Sequence, residues 1–143
     1  MDGTLEPIEY SSPKGTLRMS EPAPGVLLTV ARGRATVGAV FALIRFSEQM
    51  VAAGRRLLVF HDWENLSGYD LEAKQTLTEW SRRIIRHWDA SHILFRSQLI
   101  AMAVAVENLA VRGKATSYGS RKKWEAALAT ACVSRSVRSP ASG

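Results

Sequence analysis

Leu57-Leu58-Val59-Phe60-His61-Asp62-Trp63-Glu64-Asn65-Leu66-Ser67-Gly68-Tyr69-Asp70 is the stretch on which the fold turns. Four apolar residues follow the basic pair Arg55-Arg56. A short run of this kind is what a strand covered on both faces looks like, and such strands lie in parallel or mixed sheets with helices over them. The stretch predicts a buried strand over 57–60, an acidic, Gly-containing loop from Asp62 to Asp70, and a helix opened by Asp70. That loop stands at the carboxyl end of the strand, the edge where ligands and partners dock in open α/β sheets.

Downstream, a helix from Asp70 to about Trp88 places Ala73, Leu77, Trp80, Ile84 and Trp88 three or four residues apart, with both tryptophans read as core. His92-Ile93-Leu94-Phe95 is a short buried strand. Ser97 caps an Ala-rich helix from Leu99 to about Val111, in which Leu99, Met102, Val106 and Leu109 fill the contact, and Gly113 stops it. Lys114 to Tyr118 is a last strand, and Ser120 caps a helix carrying Trp124, Ala127, Leu128 and Ala131. Arg121, Lys122 and Lys123 stand in its first turn, where the helix dipole disfavours cations.

Upstream, Thr36 caps a helix running to about Ala53, with Val37, Val40, Phe41, Ile44 and Val51 along its packed side and Gly54 at its exit. Val26 to Val30 reads as a strand antiparallel to Gly15–Ser20, with the Glu21-Pro22-Ala23-Pro24-Gly25 cluster turning the chain between them. Residues 1–14 form a lead-in able to add one extended segment at an edge, residues 15–131 the domain, and residues 132–143 a flexible tail. The alternation of strands and helices implies right-handed crossovers and one α/β domain, a mixed, mostly parallel sheet with helices packed against it.

Composition bounds the function. At 143 residues the chain is large enough to bury a core without disulfides or metal. The lone Cys132 has no partner, and no Cys/His cluster stands at zinc-ligand spacing, so a reducing, cytoplasmic setting is expected. Met1-Asp2-Gly3 does not open a signal peptide, and no apolar run approaches the ~20 residues of a membrane span. The net charge of +6 is spread along the chain without a nucleic-acid-binding signature, which argues against nucleic acid and leaves weak contact with a membrane surface open.

The order of elements, with an acidic segment after the third strand, resembles the STAS domain of the anti-sigma-factor antagonists, more closely its SpoIIAA-like branch of small stand-alone bacterial proteins. The residues that carry the resemblance are Val59 to Asp70, with Asp62 and Asp70 at the two acidic positions of the pattern. The resemblance covers roughly residues 15 to 131 and implies a non-enzymatic regulatory or scaffolding module that docks another protein. The chain departs from the pattern where a phosphorylated switch has Ser or Thr directly after the second Asp: here stand Leu71 and Glu72. Ser67 is the nearest hydroxyl, and beside Gly68 it reads as a turn former.

Candidate chemistry is sparse. His61 and Asp62 adjoin, with Ser67 and Ser97 in reach of the same edge, but neighbours on a strand point to opposite faces, which defeats triad geometry. No Gly-x-Ser-x-Gly elbow, P-loop or dinucleotide fingerprint is present. Glu64, Asp70 and Glu72 fit capping and solvation better than a metal, so neither metal nor cofactor is expected. The expected function is therefore protein docking through Asp62, Trp63, Leu66, Ser67, Tyr69 and Asp70, with homodimerisation left open. The alternative is a small-ligand, lipid or anion-binding domain, with a pocket between helix and sheet or an anion held by Arg96 and Ser97.

Overall fold

The structure is a computed structural model that describes residues 3–98, 100–101 and 113–141. The strands are β1 (Ile8–Ser12), β2 (Gly15–Ala23), β3 (Val26–Ala35), β4 (Leu57–Tyr69), β5 (Trp88–Phe95) and β6 (Ala115–Tyr118). The helices are α1 (Val37–Ala52), α2 (Leu71–Ile84) and α3 (Arg121–Ala141). One six-stranded sheet runs in the order β1-β2-β3-β4-β5-β6. Its first two pairings are antiparallel and the three from β3 to β6 are parallel. This is the mixed, mostly parallel sheet that the sequence predicts, with the lead-in supplying β1 at the edge.

The interior strand identified from Leu57 to Phe60 is the centre of the sheet. Its side chains alternate, so Leu57 and Val59 enter the larger core beneath α1 and α2, while Phe60 enters a smaller core beneath α3. On the larger side the core joins Phe46 and Met50 of α1 to Trp80 and Ile84 of α2. On the smaller side Trp124 and Ala131 of α3 cover Val26, Phe60 and Leu94.

Four expectations need correction. The segment from Asp62 to Tyr69 is strand and not loop: β3 runs on to Ala35 and pairs with it, Arg32 opposite Asn65 and Ala35 opposite Tyr69. Two register shifts lie within that pairing and scramble the alternation that would have shown a strand. The second helix ends at Ile84, and after a 3₁₀ turn over Ile85–His87 Trp88 starts β5, where it meets Trp80 edge to face at 6.3 Å. Helix α1 is rotated from its expected phase, since Phe41 is 48% exposed whereas Leu43, Phe46 and Met50 are buried. Nearly every residue from Val37 to Ile44 is apolar, so periodicity cannot choose the face. Finally, helix α3 continues past Cys132, where a tail was expected, and Arg135 pins this extension by donating to Asp89 and to the Arg56 carbonyl, each at 2.7 Å.

The capping residues behave as their chemistry dictates, with one exception. Thr36 accepts from the Ala39 amide at 3.4 Å and starts α1. Asp70 precedes α2 but makes no side-chain cap bond, because Arg34 claims its carboxylate. Most of the Ala-rich helix expected from Leu99 to Val111 lies outside the described residues. The helical turn that leads into it is present, with the Ala101 amide donating to the Ser97 carbonyl at 3.0 Å.

Candidate functional site

The carboxyl-terminal half of β4 carries different chemistry on its two faces. Toward α1 and α2 it presents His61, Trp63 and Leu66, and toward α3 it presents Asp62 and Glu64. His61 and Asp62 therefore diverge, as strand geometry requires.

On the first face an apolar cavity of about 80 Å³ lies between α1, α2 and strands β2 to β4. Trp63, Leu66 and Tyr69 line it from β4, Val40 and Leu43 from α1, and Ala73 and Leu77 from α2. Arg34 and Lys74 bring the only charged side chains among the described residues of this lining. Small side chains open the space, since Ala31, Ala35, Ala39 and Ala73 stand where bulkier residues would close it. Walls of this kind offer water few hydrogen bonds, which favours an apolar occupant.

Residues expected as docking anchors thus turn inward. Leu66 is buried in the core, and Trp63 and Tyr69 are half-buried against it. Trp63 also stacks on His61, with ring centroids 4.6 Å apart. Ser67 is exposed and donates to the Gly33 carbonyl at 3.1 Å, tying β4 to β3. Asp70 is held by Arg34, with Lys14 3.8 Å away, and these cations keep its carboxyl below the usual carboxylate range. Arg34 donates a second bond to the Tyr69 carbonyl at 2.9 Å, so one guanidinium closes the β3–β4 edge.

On the second face Arg121 organises a charged cluster. Its Nη2 donates to Asp62 Oδ2 at 2.7 Å, its Nε to Glu64 Oε1 at 2.9 Å, and its Nη1 to Glu125 Oε2 at 3.1 Å. These three carboxylates push the guanidinium pKa up, and Arg121 together with Arg96 holds the Glu64 carboxyl below its ordinary range. The misplaced cation at the start of this helix is thereby explained: Asp62 and Glu64 of the neighbouring strand offset the dipole. Sequence reading did not find this partnership, because nothing local connects Asp62 with Arg121 across the chain. Arg96 is committed to Glu64 at 3.2 Å, and the helix needed for an anion site at Arg96 and Ser97 lies mostly outside the described residues.

His61 is buried, and desolvation drives its pKa down to about 3. Its Nδ1 lies 2.6 Å from the hydroxyl of Thr29, which is itself fully buried. The ring is a neutral core group at physiological pH. Among the described residues, no group of His, Cys, Asp and Glu is arranged to hold a metal ion, and no helix is long and apolar enough to cross a membrane.

The mixed sheet has β1 at its edge, α1 and α2 on one face and α3 on the other, an architecture that matches a SpoIIAA-like fold. Among solved structures, the chain is similar to a DUF3478-family protein with a SpoIIAA-like fold from Shewanella loihica PV-4, at 16% identity over 86% of this chain and 94% of that chain, with a TM-score of 0.57. No family model and no curated protein matches the sequence.

Proposed function

We propose that the protein is a non-enzymatic binding module whose ligand is a small apolar molecule seated between α1, α2 and the sheet. The observation that carries this reading is the 80 Å³ cavity, into which Trp63, Leu66 and Tyr69 point although they were expected to face a protein partner. A neutral naphthylamine dye that brightens in apolar surroundings tests it. Titration should give saturable enhancement with the unmodified chain. Ala39→Leu, which fills the cavity from α1, should weaken binding roughly tenfold or more while the circular dichroism stays native. Absence of saturable binding, or equal binding by both chains, refutes the reading.

A regulatory protein partner is the second reading, and one observation favours it. Phe41 is 48% and Leu71 66% exposed on the two helices that roof the cavity, so a partner gripping these helices would sense whether the cavity is filled. Because Leu71 and Glu72 follow Asp70, phosphorylation at the start of α2 is not the control in this proposal, and cavity occupancy takes its place. Capture of a defined partner by the unmodified chain and equally by Phe41→Ser with Leu71→Ser would refute this second reading.

A further inference from the structure

Beside the apolar cavity lies a second, much smaller chamber of about 10 Å³ with a different lining. It is bounded by His61 of β4, Trp88, Ser91 and Ile93 of β5, and Leu77, Trp80 and Ser81 of α2. Trp88 is 4% exposed, and its indole Nε1 is the single buried side-chain polar atom among the described residues that finds no hydrogen-bond partner. A buried donor left unmatched is costly and rare, which makes it evidence that an acceptor belongs there. The volume suits one oxygen atom and little more.

The lining also defines the chemistry of that oxygen. No Lys or Arg side chain among the described residues borders the chamber, so nothing there would balance a carboxylate or phosphate. His61 has its Nδ1 engaged by Thr29, and the hydroxyl of Ser81 donates to the Leu77 carbonyl at 2.8 Å. The indole N–H is the one side-chain donor of this lining that is both buried and without a partner among the described residues.

Leu77 lines both spaces, and Trp63 of the large cavity stacks on His61 of the small one. The two spaces therefore share the Leu77 side chain and the Trp63–His61 stack as a common boundary. We propose that the chamber is the polar terminus of the ligand cavity and receives one uncharged oxygen acceptor: a water in the free protein, and the carbonyl or hydroxyl oxygen of an otherwise apolar ligand in the complex. This deepens the apolar-ligand reading above and rests on it.

The test uses hexane, hexan-2-one and hexanoate as competitors of the naphthylamine dye on the full chain and on Trp88→Phe, which removes the donor but keeps an aromatic ring. Hexan-2-one should lose roughly tenfold in affinity in Trp88→Phe, hexane should stay within about twofold, and hexanoate should bind weakest to both. In the unmodified chain, hexan-2-one but not hexane should shift the Trp88 indole proton in the nuclear magnetic resonance spectrum, a readout that does not depend on the variant folding. Hexane binding without either effect overturns this inference and leaves the cavity reading standing. Failure of both hexane and hexan-2-one to bind overturns the two together.

Discussion

Replacing Arg121 by Met would leave the Asp62 carboxylate, whose side chain is 10% exposed, with the Glu64 amide at 3.3 Å as its one donor among the described residues. Breaking a fully buried ion pair costs about 3–5 kcal/mol, and an exposed pair is worth about 0–1 kcal/mol. Arg121 is 37% exposed, so solvent screens part of the loss and the expected destabilisation is about 2 kcal/mol. For a domain of this size that lowers the melting temperature by roughly 6 °C. Urea unfolding followed by circular dichroism at pH 7 measures it, and adding Asp62→Leu should recover most of the loss by removing the stranded charge. Acid gives an independent check. The Glu64 carboxyl is held below its ordinary value of 4.5, so its contribution is present above that pH and fades as pH falls through the lower folded value. The difference between the two chains should therefore shrink in acid. A loss below about 0.5 kcal/mol, a difference that does not shrink in acid, or a double variant less stable than Arg121→Met would refute the assignment of Arg121 as the fastening of α3.

Other outcomes follow from single contacts. His61 should stay neutral in the folded chain down to about pH 3; because the unfolded imidazole takes up a proton near 6.5, stability should fall below that pH by up to about 1.4 kcal/mol per unit, and a carbon-bound imidazole proton titrating near 6.5 in the folded chain would contradict it. Gly25→Ala should cost roughly 2–4 kcal/mol in a denaturant melt, since φ is +81° and the added Cβ would stand 2.5 Å from the Arg56 carbonyl oxygen. Leu66→Ala should cost about 2–4 kcal/mol, as for a core leucine; a change within about 0.5 kcal/mol would place this side chain outside the core. Thr36→Ala should cost about 1 kcal/mol through the lost α1 cap, and Thr36→Asn should restore most of it.

The interior of the sheet was legible because its signals are local. Leu57 to Phe60 is apolar without interruption, and Thr36 and Gly54 bracket α1. What escaped reading depends on partners far along the chain. The strand character of Asp62 to Tyr69 comes from pairing with β3, whose Gly33 turns at φ +77° where Lys14 approaches. Trp88 looked helical because its spacing from Trp80 and Ile84 fits a helix face, yet the strand it begins is paired with Leu57. Its ring reaches the same core from the sheet side, so periodicity identified the neighbour and misassigned the backbone.

The same limit explains the candidate site. An acidic strand end with aromatic residues reads as an exposed handle when the strand is assumed to stop at Phe60. Once β4 extends to Tyr69, alternation sends Asp62 and Glu64 to a helix some sixty positions later and sends His61 and Trp63 to the opposite face. The polar residues toward α3 satisfy one another, whereas the face toward α1 and α2 is left with small side chains, an apolar volume and one unmatched indole donor. Charge on this strand therefore serves attachment of α3, and in the proposed function recognition falls to the side that carries almost no charge. A ligand selected by that side would be told from its relatives by the position of one oxygen along an apolar skeleton. Moving the carbonyl from hexan-2-one to hexan-3-one should accordingly abolish the dependence of binding on Trp88 while leaving the apolar contribution in place, and equal dependence for the two ketones would show that Leu77 does not fix the depth at which a ligand sits.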